Sequence, residues 1–362
     1  MSKRFAVIMA GGRGERFWPR SRHFRPKHLL PIVGDKPLLE QTINRLLPMI
    51  PAENILVITN THQESAVREV ASMLPSENIV SEPVGRDTAA ATGLATVLVS
   101  ARDANASFAM LPADHVIKDS AEYRRNLEAA FVVAERGDVL VTLGIKPTEP
   151  ATGFGYIQRG AAVEDANNRA VHELVRFVEK PSREVAEGYL ASGDYLWNAG
   201  MFVWRVPVIS KAFGTHSPEI WDGLEAIAAG LGRGEDLAGL LDEHYPNIKR
   251  ISVDYAVMEK AKNARVVPAT FDWDDVGSWP AVTRHFEADS DGNVVLGQGL
   301  VEQGARNLVV STDDHLVSVL GADDLIVVHT PGATLVCPKS RAEEIKALLR
   351  KVDADPKLRG LL

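Results

Sequence analysis

At residues 5–9 the apolar run Phe-Ala-Val-Ile-Met passes without a spacer into Ala10-Gly11-Gly12-Arg13-Gly14-Glu15-Arg16-Phe17-Trp18-Pro19. So short an apolar run, closed by glycines, reads as a buried strand. Glycines directly after a strand let the backbone turn tightly and approach a ligand closely. Successive backbone N–H groups in such a turn form a concavity suited to an anion, and Arg13 and Arg16 add positive charge. Two common designs do not fit. The dinucleotide fingerprint needs Gly or Ala at the last position counted from Gly12, where this chain has Phe17. That argues against a dinucleotide-dependent dehydrogenase. The Walker loop must end in Gly-Lys-Ser/Thr, which is absent here.

The same alternation continues along the chain. Short apolar runs at 55–58, 108–111 and 139–143 are separated by segments of helical spacing at 38–47, 63–74, 89–101 and 123–136. Buried strands alternating with helices predict an α/β fold, a Rossmann-like mixed, mostly parallel sheet flanked by helices. Ligands in such sheets lie at the carboxyl ends of the strands. The middle of the chain is less regular, with strands read at 156–159 and 171–179 and helices at 183–192, 217–230 and 235–244. After about His285 come short apolar runs at 293–300, 307–311, 316–320, 325–329 and 334–336, separated by turn residues, then a helix at 341–352. This texture predicts a large α/β domain over 1–285, the one that would carry any site at the strand ends, and a small β-rich C-terminal domain over 286–362. The even strand spacing leaves a short left-handed β-helix open, although no strict repeat demonstrates one.

Composition narrows the class of partner. With 362 residues, 45% hydrophobic and 24% charged, the chain reads as an ordinary globular protein. Its formal net charge of −8 disfavours a nucleic-acid binder. A single cysteine, Cys337, allows neither an internal disulfide nor a cysteine metal cluster, which suits a reducing compartment. With no signal-like N-terminus and no apolar stretch of membrane-spanning length, a cytoplasmic protein with no membrane partner is expected.

Three further motifs carry charge that chemistry could use. Arg25-Pro26-Lys27 fixes the backbone just before a lysine. Lys27 is a candidate for a phosphate oxygen, against the plain alternative of a solvated surface lysine. Asp114 of Leu111-Pro112-Ala113-Asp114-His115 ends a strand, where ligands bind, and a hard carboxylate suits magnesium. It could instead cap a helix, but Asp119-Ser120 are better placed for that. His115 is tempting as a base and is read as structural. In Trp273-Asp274-Asp275-Val276-Gly277-Ser278-Trp279, adjacent aspartates repel unless they sit in solvent or around a cation. Glu82-Pro83-Val84-Gly85-Arg86-Asp87-Thr88 precedes a helix with Thr88 as its expected N-cap.

Taken together, the loop of residues 11–19 with Pro26-Lys27 resembles the signature of the sugar-nucleotide pyrophosphorylases, and Phe17-Trp18-Pro19 resembles the mannose-1-phosphate guanylyltransferases among them. The resemblance extends over essentially the whole chain and implies a nucleotidyltransferase fold. It implies that Ala10, Gly11, Gly12, Arg13 and Gly14 wrap the nucleotide's phosphates, with Arg16 and Lys27 stabilising charge as the α-phosphate is attacked. Asp114 and Asp275 would share a magnesium or another divalent cation, Asp275 matching the family position better than its neighbour. Glu82, Arg86 and Thr88 would lie by the base, although relatives often carry Asn where this chain has Asp87. Sugar-binding positions fall on Gly153 and Tyr156 of 152–156, Glu179 and Lys180 of 178–181, Asn198 of 196–202, and Asp254 of 252–259.

The implied partners are GTP and mannose 1-phosphate, with GDP-mannose and pyrophosphate as products, and a second copy of the chain in a homodimer. The short tail after 285 implies a monofunctional form without phosphomannose isomerase activity. Two other readings stay open: the same chemistry with another base or sugar, such as glucose 1-phosphate, and a relative that binds sugar nucleotide without turnover.

Overall fold

The computed structural model describes residues 3–362. Its centre is a nine-stranded sheet built from β1 (Arg4–Met9), β2 (Ile55–Asn60), β3 (Ile79–Glu82), β4 (Ser107–Pro112), β5 (Leu140–Ile145), β6 (Tyr156–Ala166), β7 (Arg169–Val178), β8 (Tyr195–Arg205) and β9 (Ala264–Pro268). The spatial order is β3-β2-β1-β4-β8-β5-β9-β7-β6. The strands pair in parallel from β3 through β4, and their apolar residues are buried on both faces, as a helix-covered sheet requires. The mixed character enters at β8, which runs antiparallel to β4, β5 and β6. This strand contains the segment 196–202, which stands out in the sequence as a motif and not as a strand; β3 and β9 have no apolar run long enough to announce them.

Helices cover both faces: α1 (Leu38–Leu46), α2 (Glu64–Val70), α3 (Asp87–Arg102), α4 (Ser120–Arg136), α5 (Arg183–Ser192), α6 (Val206–His216), α7 (Pro218–Gly232) and α8 (Leu237–His244). Asp119 caps α4 as its chemistry predicts, accepting from the N–H of Glu122. The expectation for Thr88 is corrected. Helix α3 begins at Asp87, and the Thr88 hydroxyl accepts instead from the N–H of Val253 at 2.9 Å, tying α3 to a distant loop.

After α9 (Trp279–Val282) the strands shorten: β10 (Val294–Leu296), β11 (Gly299–Glu302), β12 (Leu308–Ser311), β13 (Val317–Leu320), β14 (Leu325–Thr330) and β15 (Ala333–Pro338). They alternate between two sheets. Strands β10, β12 and β14 pair in parallel in one, and β11 and β13 in the other, while β15 closes the first antiparallel to β14. The run at 293–300 is thus two strands. At the break Gly297 has φ of 88°, and a Cβ there would lie 2.1 Å from the Ser311 carbonyl oxygen, so only glycine turns this corner. The final helix, α10 (Ile345–Ala354), starts later than the reading at 341–352 because Lys339–Glu344 winds as a 3-10 helix.

One buried cluster joins this β-rich unit to the glycine loop. It unites Phe17, Trp18 and Leu30 with Val276 and Trp279, and with Val328, Ile345, Leu349 and Val352. Trp279 is fully buried; its ring lies 5.2 Å from that of Phe17, and its indole N–H donates to the Trp18 carbonyl at 3.2 Å. Trp279→Ala is expected to lower stability by roughly 3–5 kcal/mol, through the cavity it leaves. Urea unfolding followed by circular dichroism checks this; a midpoint unchanged within error would mean the two units are not mechanically joined here.

Candidate active site

At the carboxyl ends of β1 and β4 lies a cleft of about 910 Å³. The glycine loop forms one wall. Asn60, Gln63 and Ser21 donate from their side chains to the carbonyls of Gly11, Gly12 and Gly14 at 3.3, 3.2 and 2.7 Å. With their carbonyls held from behind, the N–H groups of Gly11, Gly12, Arg13 and Gly14 donate to no protein acceptor among the described residues. Unpaired N–H groups are what an anion concavity of the expected kind needs. Gly14 has φ of 60°, and a Cβ there would meet the backbone nitrogen of Lys27 at 2.6 Å.

That close approach seats Lys27, which is buried. Its ammonium donates to the Asp114 carboxylate at 2.9 Å and to the backbone carbonyl of Asp275. A lysine this deep must be paired, so the solvated alternative does not hold. Burial pushes the Asp114 carboxyl up, but the charge and hydrogen bond of Lys27, with His115 and His28 beside it, together outweigh this and hold the group well below the usual carboxylate range. His115, beside it, is pushed down to about 4 by burial and accepts from the indole N–H of Trp273 at 3.1 Å. It is a neutral packing residue at physiological pH.

The two adjacent aspartates face different ways. Asp274 is enclosed by His285 at 3.0 Å, by Arg284 at 3.4 Å and by the Val276 N–H at 2.8 Å. Asp275 lines the cleft. Burial pushes its carboxyl up, relieved by Lys27 and reinforced by the charges of Asp274 and Asp114. Among the described residues its carboxylate has no hydrogen-bond or ion-pair partner. A half-buried, unneutralised carboxylate beside a second one fits a hard divalent cation, which takes one or two carboxylates and completes its shell with phosphates.

At the far end Glu82 is buried beneath Gly11, and the Tyr245 hydroxyl donates to it. Burial pushes Glu82 up to about 7 against the pull of that hydrogen bond. Thr88 and Asp87 line the cleft here, whereas Arg86 turns away and donates to the Pro246 carbonyl.

The sugar motifs gather as a second cluster. Asn198 donates to Asp254 at 3.0 Å, and Lys180 pairs with Glu179 at 2.7 Å. Burial and then the Glu179 charge push Asp254 up to about 6. Asp254 itself opens a π-helical turn (Asp254–Met258). Tyr156 is not part of this group: it is fully buried, its hydroxyl donating to the Ala151 carbonyl at 2.9 Å. Gly153 lies in the open loop before β6 with no atom within 4 Å of a Cβ position.

Sequence comparison identifies the family. A family model described as nucleotidyl transferase matches residues 5–292, and one described as MannoseP isomerase/GMP-like beta-helix domain matches 298–352. A mannose-1-phosphate guanylyltransferase of Klebsiella pneumoniae is 37% identical over 94% of this chain and 72% of its own length. One of Sinorhizobium fredii is 38% identical over 98% and 69%. The chain belongs to the mannose-1-phosphate guanylyltransferase family of nucleotidyltransferases. A crystal structure described as a mannose-1-phosphate geranyltransferase from Thermus thermophilus superposes with a TM-score of 0.85 at 37% identity, covering 97% of this chain and 99% of that one.

Some residues of this nucleotidyltransferase's cleft carried no sequence signal. Arg250 and Lys346 line it, and Glu343 lies 2.7 Å from Arg16. They are single charges among the 40 Lys and Arg and 48 Asp and Glu of the chain, outside any motif. Only the folded path of the chain brings them here. Gly14→Ala is expected to raise the nucleotide's Kd by at least about tenfold, because the loop or Lys27 must shift. Calorimetric titration with GTP checks this, and an unchanged Kd would mean the loop does not hold the phosphates.

Proposed function

We propose that the enzyme transfers GMP from GTP to α-D-mannose 1-phosphate, giving GDP-mannose and pyrophosphate. One observation carries this reading: a loop with free N–H groups, a buried lysine and two carboxylates meet at one cleft. A phosphate oxygen of mannose 1-phosphate attacks the α-phosphorus of GTP. A new P–O bond forms as the bond from the α-phosphorus to the α–β bridging oxygen breaks, and pyrophosphate departs. The attacking oxygen is already anionic at neutral pH, so no general base is needed. Positioning and charge neutralisation dominate such transfers. In this reading the loop N–H groups and Arg13 hold the phosphates, and Arg16 and Lys27 stabilise charge on them. Asp114 and Asp275 would hold a magnesium or another divalent cation, which when bound draws charge from the triphosphate oxygens. Lys180 and Glu179 receive the sugar phosphate and hydroxyls, with Asn198 oriented by Asp254; Gly153 leaves room in the loop before β6, Tyr156 fastens that loop through the Ala151 carbonyl, and Arg86 ties the segment before α3 to Pro246.

Glu82 favours guanine. A guanine edge offers N1–H and N2–H donors, which a buried carboxylate accepts; the corresponding edge of adenine offers an acceptor at N1. The same reading takes residues 1–285 as the catalytic domain and 286–362 as the small domain, a homodimer as the assembly and the cytoplasm as the setting. No helix among the described residues is long and apolar enough to cross a membrane.

A panel of nucleoside triphosphates against sugar 1-phosphates, read by pyrophosphate release, tests the assignment. GTP with mannose 1-phosphate is expected to lead. Equal rates across bases would overturn the guanylyl transfer, and GDP-mannose binding without turnover would favour a non-catalytic relative. Asp114→Ala and Lys27→Ala are each expected to lower kcat on the order of 100-fold or more; near-normal rates would displace the site.

The position of Glu82 also predicts a pH dependence. Its carboxyl is held at about 7, so it is increasingly protonated, and a poorer acceptor, as the pH falls from roughly 8 to 6. The KM for GTP is expected to rise over that range. In Glu82→Gln both this dependence and the preference for GTP over ATP are expected to weaken. A parallel pH profile in the variant would exclude Glu82 as the base-reading group.

A further inference from the structure

The cleft presents five basic side chains, and three already have carboxylate partners. Lys27 pairs with Asp114 at 2.9 Å, Arg16 with Glu343 at 2.7 Å and Arg13 with Glu15 at 3.8 Å. The other two, Arg250 and Lys346, make no ion pair or side-chain hydrogen bond among the described residues while lining the same cavity. Their positions differ. Arg250 directly precedes Ile251, whose carbonyl accepts from the N–H of Ala89, and so sits by α3 at the base end. Lys346 lies three residues after Glu343, whose carboxylate reaches Arg16 of the glycine loop. It therefore sits at the phosphate end.

Lys346 is held there by its neighbours. Ile345 and Leu349 are buried against Phe17 and Val276, residues of the two loops that carry Arg16 and Asp275. The chain end is tied to the same loop, since the Trp18 indole donates to the Leu361 carbonyl at 2.9 Å and the His23 N–H donates to the Leu362 carbonyl at 2.8 Å. Helix α10 is therefore a fixed wall of the cleft. The ammonium it presents has no counter-charge of its own, facing a site where the nucleotide brings several negative charges.

We propose that Lys346, supplied by the β-rich unit, binds the terminal phosphates of the nucleotide and the pyrophosphate that leaves. It acts with Arg16, whose guanidinium Glu343 holds at the loop until phosphate oxygens compete for it. The β-rich unit is then part of the transferase site as well as its scaffold. This rests on the function proposed above, from which the leaving group follows.

Inorganic pyrophosphate titrated calorimetrically into the full chain tests the assignment without requiring turnover. In Lys346→Ala the Kd is expected to rise roughly tenfold, the size of one hydrogen-bonded charge contact. Lys346→Arg is expected to restore most of the loss, and Lys351→Ala, on the same helix, to leave the Kd within about twofold. In steady state, Lys346→Ala is expected to raise the KM for pyrophosphate in the reverse direction while leaving that for GDP-mannose nearly unchanged. If the alanine variant is unstable, Lys346→Met keeps the apolar stem and is expected to show the same rise. An unchanged pyrophosphate Kd in a folded variant overturns the role of Lys346 and leaves the proposed function standing. Absence of GTP-dependent turnover in the wild type overturns that function and leaves the pyrophosphate result to be read by itself.

Discussion

The buried ammonium of Lys27 is the contact on which the cleft depends. It joins three segments distant in sequence: the turn after Pro26, the end of β4 at Asp114 and the loop at Asp275. A buried lysine is tolerable only with partners. The half-exposed Asp114 carboxylate supplies one, and the backbone carbonyl of Asp275 completes the set. Gly14 belongs to the same constraint, because its missing Cβ is what lets the loop lie against the Lys27 backbone. The loop's geometry, the lysine's burial and the depressed carboxyl of Asp114 are aspects of one packing solution.

Because Lys27 and Asp114 largely neutralise each other, they leave little net charge for an anionic ligand. The cleft's capacity for phosphates then rests on groups with weaker internal ties. These are the free N–H groups of residues 11–14, Arg16 in its ion pair with the exposed Glu343, and Arg250 and Lys346, unpaired among the described residues. Asp275 has the opposite imbalance, a carboxylate raised by burial and by two negative neighbours. In the proposed reading a cation bound beside it relieves that repulsion while adding charge where phosphates bind, so that each ligand charge answers a deficit left by the protein's own pairs.

Much of this was legible in the sequence wherever one residue type serves a local rule. The strands at β1, β2, β4 and β5 announce themselves as apolar runs, and the loop after β1 by its glycines. Asp119 caps α4 as its chemistry predicts. Legibility ends where long-range packing decides. Strand β8 pairs antiparallel with β4, β5 and β6, a set of neighbours that no local pattern specifies. Thr88 has the side chain of a cap but bonds to Val253, because the loop carrying Val253 arrives there only in the folded chain. Tyr156 sits in a motif of the expected type, yet its ring fills the core beneath the sugar cluster. Lys346 and Glu343 are ordinary surface charges until α10 is laid against the glycine loop.

Three of the eight described non-glycine residues with positive φ fall within the motifs around the cleft, the other five in turns elsewhere. Asp87, Lys180 and Val276 adopt φ of 67°, 46° and 42°, values unfavourable for residues other than glycine and most of all for a β-branched one. One sits in each of three motifs to which the proposed reading gives ligands: the segment before α3, the cluster with Asp254 and the aspartate loop. Strain of this kind, of order 1–3 kcal/mol per residue, persists only where the surroundings over-determine it. At Val276 those surroundings can be named. Its side chain is buried among Phe17, Trp279 and the C-terminal helix, and its N–H is fixed by Asp274, itself gripped by His285 and Arg284. Asp274 thus holds the turn that aims its neighbour. Two adjacent aspartates that look interchangeable in sequence divide the work, the first enforcing a strained backbone so that the second faces the cleft without a protein partner.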